Sequence, residues 1–202
     1  MAKVARKHAR DGVATRARIE KEALRLFALK GVDGATIRDL SLAVGVADAA
    51  LYRYFPSKED IAAEIFTRHY GALALAVRDI GARLQPFRDT VRALVDLFCD
   101  LFDHSPDVFT FILLNQHTHL RYVRPGENVV EELSQIMARA RSRGEITVDD
   151  ADLAAAMALG AVLQPAVFKI YGRLPGALRD RAETLAAAAA KAAGCVDRPA
   201  RG

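Results

Sequence analysis

The chain reads as all-α, with a small helical head at its N-terminal end and a larger helical domain after it. Three observations predict this. Apolar residues recur at intervals of three and four through most of the 202 residues, the spacing that gives a helix one apolar face. Cap residues, prolines and glycines punctuate those stretches where helices start and stop. No pair of alternating apolar runs joined by a tight turn reads as a β-hairpin.

Before the head, residues 1–14 hold Lys3, Arg6, Lys7, His8 and Arg10 with little apolar content. They read as a flexible basic arm, either a solvated tail or one that reaches a minor groove. No apolar stretch follows these charges, so they do not read as a secretory signal.

The most informative segment is 36–58, TIRDLSLAVGVADAALYRYFPSK. Thr36 is a helix N-cap residue, and Asp39 three places on suits the positive end of the helix dipole. Ile37, Leu40 and Val44 follow at helical spacing. Gly45 supplies the left-handed conformation that lets a helix stop and the chain turn. Val46 and Leu51 read as core anchors, Pro56 ends the second helix, and Ser57 with Glu59 and Asp60 opens the next. Helix, tight turn, helix is the pattern of a helix-turn-helix, whose second helix enters the DNA major groove.

Helical patterning continues to the end. A long helix over 57–83 carries Ile61, Ile65, Tyr70 and Leu73, and Pro86 interrupts it. A helix over 90–104 carries Val91, Leu94, Val95, Phe98 and Phe102. Ser105 and Pro106 form a cap with proline in the first turn, opening a helix to His119. After the Arg124-Pro125-Gly126 loop come helices over 127–143, over 149–171 with a kink expected at Pro165, and over 177–193. The domain reading is therefore 1–14 arm, 15–60 helix-turn-helix head, 61–195 helical domain and 196–202 tail.

Charge agrees with the head's assignment. Lys and Arg number 29 against 25 Asp and Glu, a net +4; residues 1–60 hold 12 basic and 8 acidic side chains, residues 61–202 hold 17 of each. The whole excess lies where phosphate contacts need it. Hydrophobic residues make up 51%, ample for a core, and no uninterrupted apolar run reads as long enough to cross a bilayer. Cys99 and Cys195 lack metal or disulfide spacing, which fits a reducing cytoplasm. His117 and His119 diverge on a helix and, with His104, give no ligand spacing. No metal and no cofactor are expected. The chain has no glycine-rich phosphate loop, nucleophile elbow or zinc-hydrolase motif, which argues against an enzyme.

Taken together, Thr36-Ile-Arg-Asp-Leu40, Gly45-Val46, Leu51-Tyr-Arg-Tyr-Phe55 and Ser57-Lys58, with Ile19, Ala23, Leu26, Phe27 and Gly31 upstream, resemble the DNA-binding domain of tetracycline-repressor-type (TetR family) regulators over about 15–65. One departure is local. Ala47 stands where the family often has a capping Ser or Thr, leaving Asp48 to cap if the helix starts one residue later.

The resemblance implies a transcriptional regulator, a repressor released from a near-palindromic operator in double-stranded DNA by a small effector. A transcriptional activator, or a helical ligand-binding or interaction protein without DNA, are the rival readings. Candidate DNA-binding residues are Thr36 and Lys58 at helix N-termini, Arg38 on the support helix, Asp48, Ala49, Ala50 and Arg53 on or beside the reading face, and Tyr52 and Tyr54 for phosphate. The resemblance also implies a homodimer through the last two helices, where Leu153, Met157, Leu163, Val167, Leu178 and Leu185 supply bulk; an intrachain core would use the same residues. An effector pocket for a small apolar or amphipathic molecule would draw on Phe98, Phe102, Phe109, Asn115, Gln116, His119, Gln164 and Phe168, apolar walls with a few polar groups. Cytoplasmic location without membrane attachment follows.

Overall fold

The computed structural model describes the backbone of residues 2–196 and the side chains from residue 12 onward. Among the described residues the elements are α1 (Ala2–Gly34), α2 (Ile37–Val44), α3 (Asp48–Tyr52), α4 (Lys58–Arg83), α5 (Phe87–His104), α6 (Pro106–His119), α7 (Val129–Ser142), α8 (Ala151–Ile170) and α9 (Ala182–Ala192), with short 3-10 turns at Leu120–Tyr122 and Arg179–Arg181. An isolated bridge between Ile146 and Cys195 is the sole extended pairing among them. Two expectations about the ends change. The backbone is helical from Ala2, so most of the segment read as an arm forms the first turns of α1; Ala, Lys and Arg are strong helix formers. Of the tail, all but Val196 lies outside the described residues.

The chain divides into two compact units. The first takes Met1–His69 and Asp107–Tyr122, the second Tyr70–Pro106 and Val123–Gly202. The head is thus larger than the 15–60 expected, and it includes α6.

In the first unit α1 contributes Ile19, Ala23, Leu26 and Phe27, α2 Leu40 and Val44, α4 Ile61, Ile65 and Phe66, and α6 Phe111 and Ile112, all buried. Aromatic rings join α6 to the rest. Phe111 stacks on Phe27 with centroids 6.0 Å apart and meets Phe66 edge-on at 6.4 Å. His119, about two turns further along α6, lies 5.3 Å from Phe66. Burial is the main cause that pushes the His119 pKa below its ordinary value.

The second unit buries the apolar stripe of α5, including Val91, Leu94, Val95 and Phe98, together with Leu133, Ile136 and Met137 of α7 and alanines of α8 and α9; α5 packs on α9, and α7 and α9 pack on α8. Small residues allow close approach: a Cβ at Gly81 would lie 2.5 Å from the Ile136 side chain. Glu132 is buried and paired with Arg78 at 2.7 Å, while the Tyr70 hydroxyl donates to Asn128 Oδ1 at 3.1 Å, the side chain that caps α7. The Asp103 carboxylate accepts from the N–H groups of Leu178 and Arg179 at 2.9 and 2.8 Å. α8 stays helical through Pro165.

α8 corrects the reading of apolar runs. At 20 residues, with a mean hydropathy of 1.7, Ala151–Ile170 is long and apolar enough to cross a membrane by length and composition. Alanine supplies much of that apolarity, and Ala154, Ala155, Ala158, Val162 and Ala166 give it a buried face inside the second unit.

Cys99 is buried, and burial pushes its thiol up to about 11. Thiolate is the reactive form, so Cys99 should resist a disulfide reagent at pH 8. Cys195, half-buried, should be the thiol that reacts in the folded protein. Counting one reactive thiol per chain before denaturant and two after checks this; immediate reaction of both would contradict the packing of α5.

Candidate nucleic-acid interface

Local chemistry builds the helix-turn-helix. Thr36 Oγ1 accepts from the Asp39 N–H at 3.1 Å, and the Thr36 N–H donates to Asp39 Oδ2 at 3.0 Å, a complete capping box. These bonds, the Thr36 N–H first, hold the Asp39 carboxyl below its usual range. α2 ends at Gly45, whose φ of 73° and ψ of 41° are left-handed. The N–H groups of Gly45 and Val46 return to the Ser41 carbonyl at 2.9 and 3.0 Å, closing the turn.

α3 has five residues and its N-cap, Ala47, makes no side-chain cap bond. Asp48 does not cap the helix either: it is the first helical residue, and its carboxylate accepts from the buried Ser41 hydroxyl. Leu51 and Phe55, four apart, are buried and anchor α3 and the turn after it. The opposite face carries the expected residues. Thr36, Arg38, Asp48, Ala49, Tyr52 and Arg53 are exposed, with Ala50 and Tyr54 half-buried. Among the described residues, no acceptor or donor engages the side chains of Arg38, Tyr52 or Arg53. A surface with two unpaired guanidiniums, a phenol and alanine methyls suits phosphates and thymine methyls.

Lys58 was expected to contact phosphate at a helix N-terminus; its side chain is engaged within the head instead. Its ammonium donates to the carbonyls of Val32, Ala35 and Asp33 at 2.8, 2.8 and 3.2 Å. An ammonium has three donors, and all three face carbonyls where α1 ends, which leaves the backbone N–H at the start of α4 for any phosphate. Arg16 is the residue that the sequence reading missed. Its guanidinium lies 4.3 Å above the Phe55 ring and donates to the Tyr54 carbonyl at 3.2 Å. Its i,i+4 pairing with Glu20 is legible in the sequence; its reach to Tyr54, 38 residues away, is not.

The eight effector candidates divide between the units. Phe109, Asn115, Gln116 and His119 belong to the first; Phe98, Phe102, Gln164 and Phe168 to the second. Asn115 Nδ2 donates to the Phe111 carbonyl at 2.8 Å and the His119 ring engages the Asn115 carbonyl at 3.2 Å, so these polar groups serve α6 itself. Gln164 and Phe168 are exposed on α8. A cavity of about 30 Å³ in the second unit is lined by apolar side chains, among them Val91, Leu94, Met137 and Val162, and Phe98 is the only candidate on its wall. Periodicity placed the aromatics on helices correctly but did not say which neighbour each helix faces. Of the residues named for dimer bulk, Leu153 and Met157 are exposed, whereas Leu178 and Leu185 are buried within the chain. Among the described residues no three His, Cys, Asp or Glu side chains gather as a metal site.

Known proteins place this geometry. The sequence profile of the bacterial regulatory proteins of the tetR family matches residues 19–65. The HTH-type transcriptional regulator SrpR of Pseudomonas putida is 27% identical over 155 residues, 72% of this chain and 70% of its own. The HTH-type transcriptional repressor KstR2 of Rhodococcus jostii RHA1 is 35% identical over 80 residues, 40% of this chain and 39% of its own. The crystal structure of the transcriptional regulator FadR from Bacillus subtilis, in complex with stearoyl-CoA, superposes with a TM-score of 0.70 at 16% identity, covering 86% of this chain and 96% of that one. A matched head sequence, a capped helix-turn-helix with its reading face bare, and a shared all-α fold lead to one conclusion: residues 19–65 form a head of the kind found in the bacterial regulatory proteins of the tetR family.

Proposed function

We propose that the protein is a homodimeric repressor that holds a near-palindromic operator and leaves it when a small apolar or amphipathic effector binds. One observation carries the DNA contact: the exposed α2–α3 surface on which Arg38, Tyr52 and Arg53 have no partner among the described residues. Dimerisation through the last two helices is supported by the outer face of α8, where Leu153, Met157, Phe168 and Tyr171 recur at helical spacing and are exposed. A bare apolar stripe of this kind marks an interface. Phe168, read from sequence as an effector residue, joins this stripe. A two-fold dimer would set two reading helices about one DNA turn or somewhat more apart. Repression of transcription places the work in the cytoplasm, where the DNA is.

Apolar walls favour an effector with hydrocarbon character, and the stearoyl-CoA held by FadR is of that chemistry. Ligand pockets run to about 300–1,000 Å³, so an effector entering the 30 Å³ cavity has to part α5, α7 and α8. α4 belongs to both units, its residues to His69 in the first and from Tyr70 in the second, and a displacement of its second half would travel along one continuous helix. Coupling of this kind is worth about 1–3 kcal/mol.

Gel shift and light scattering test the reading together. The unaltered protein should prefer a duplex selected from a random library over random competitor, and should scatter as two copies of the 22.0 kDa chain. Arg38→Ala should cost roughly 1–3 kcal/mol on that duplex and relax preference at one base pair if Arg38 meets a guanine. A monomer with no sequence preference would refute the proposal.

A further inference from the structure

We propose that Arg16 is a positioning residue for operator recognition, fixing the C-terminal end of the reading helix to α1 and α4 through one guanidinium. This rests on α3 being the element that reads DNA. α3 is five residues long, far below the length at which a helix holds itself together. Its direction is therefore set by what grips its two ends. At the start the grip is the Gly45 turn and the Ser41–Asp48 hydrogen bond. At the finish it is Arg16.

Every nitrogen of that guanidinium is engaged. Nη1 donates to the Tyr54 carbonyl at 3.2 Å, Nη2 to Glu64 Oε2 of α4 at 2.5 Å, and Nε faces Glu20 Oε1 of α1 at 3.3 Å. Its flat face covers the Phe55 ring at 4.3 Å. Arg68 of α4 closes the circuit, reaching Glu20 Oε2 at 2.6 Å and Glu64 Oε1 at 3.3 Å. Two arginines and two glutamates thus alternate around a four-membered ring. Exposed ion pairs add little stability, and three of these side chains are 39–50% exposed. The arrangement contributes geometry. A planar fork fixes three acceptors and a ring at once, which a flexible ammonium does not. Three of its five N–H donors are held by the head itself, so its main work is within the protein. It acts on DNA through Tyr54, Phe55 and the helix before them.

The test uses the full-length protein, the duplex it selects from a random library and a random duplex of equal length. Arg16→Lys keeps the charge and removes the fork. Its preference for the selected over the random duplex should fall about tenfold, the size of one misread base pair. Its affinity for the random duplex and the salt slope should stay as they were. Glu64→Gln, which removes the α4 charge and replaces one of its two acceptor oxygens with an NH2 donor, leaves Arg68 on Glu20; it should lower the preference in the same direction, and the double variant should be no worse than Arg16→Lys alone. If Arg16→Lys does not fold, Glu64→Gln decides. An unchanged preference in the folded variants, with only the melting temperature lowered, overturns the proposal. So does a salt slope reduced by about one, which marks a direct phosphate contact. Absence of any preferred duplex for the unaltered protein would instead defeat the DNA-reading assignment.

Discussion

Phe111→Ala should cost the first unit about 3–5 kcal/mol, the range for truncating a fully buried phenylalanine. The ring has no exposed surface and lies between Phe27 of α1 and Phe66 of α4. Alanine leaves a void that both rings border, and neither can fill it without moving the helix that carries it. The loss falls on the unit that holds the reading helix, so affinity for the selected duplex should fall together with stability. Leu114→Ala on the same helix is the control. Leu114 is 61% exposed, and its truncation should stay within roughly 0.5 kcal/mol. Denaturant midpoints of the two variants, followed beside DNA binding, check the pair. Equal midpoints would mean that α6 does not brace the head.

Lys58→Met should cost about 2–3 kcal/mol, because hydrogen bonds to a charged group are worth about 1.5–3 kcal/mol and their loss leaves carbonyls under-satisfied. Three carbonyls at the end of α1 face the ammonium, at the helix end where positive charge is favoured. Methionine retains most of the aliphatic stem and none of the donors. The denaturation midpoint should therefore drop while the salt slope of DNA binding holds, the opposite of what removal of a phosphate contact gives. A slope lower by about one with an unchanged midpoint would return Lys58 to the DNA surface.

Lys58 also marks where sequence reasoning stops. Thr36, Asp39, Gly45 and Pro56 act on neighbours within four residues, so the head's helices and turn were legible from spacing alone. The partners of Lys58 lie 23–26 residues upstream, and no spacing rule connects them. α6 has the same difficulty. Phe109, Phe111 and His119 give the same helical pattern whichever unit receives them, and only tertiary packing sends Phe111 to Phe27. For the candidate site, exposure of Tyr52 and Arg53 followed from the burial of Leu51 and Phe55 one face away, and that of Arg38 from the burial of Leu40 and Val44 on α2. The effector residues did not separate from core, because an apolar wall and an apolar core use the same side chains.

The return of α6 to the head has a consequence for synthesis. The first unit is interrupted: the chain leaves it after His69 and re-enters at Asp107. A ribosome that has just finished α4's first turns has delivered Phe27 and Phe66 but not the ring between them. Some 50 residues more are needed, roughly 3–10 s at about 5–20 residues per second. During that interval the nascent head carries an uncovered aromatic seam, an opening for chaperones and for wrong partners, and a gene truncated after residue 69 would leave it uncovered for good.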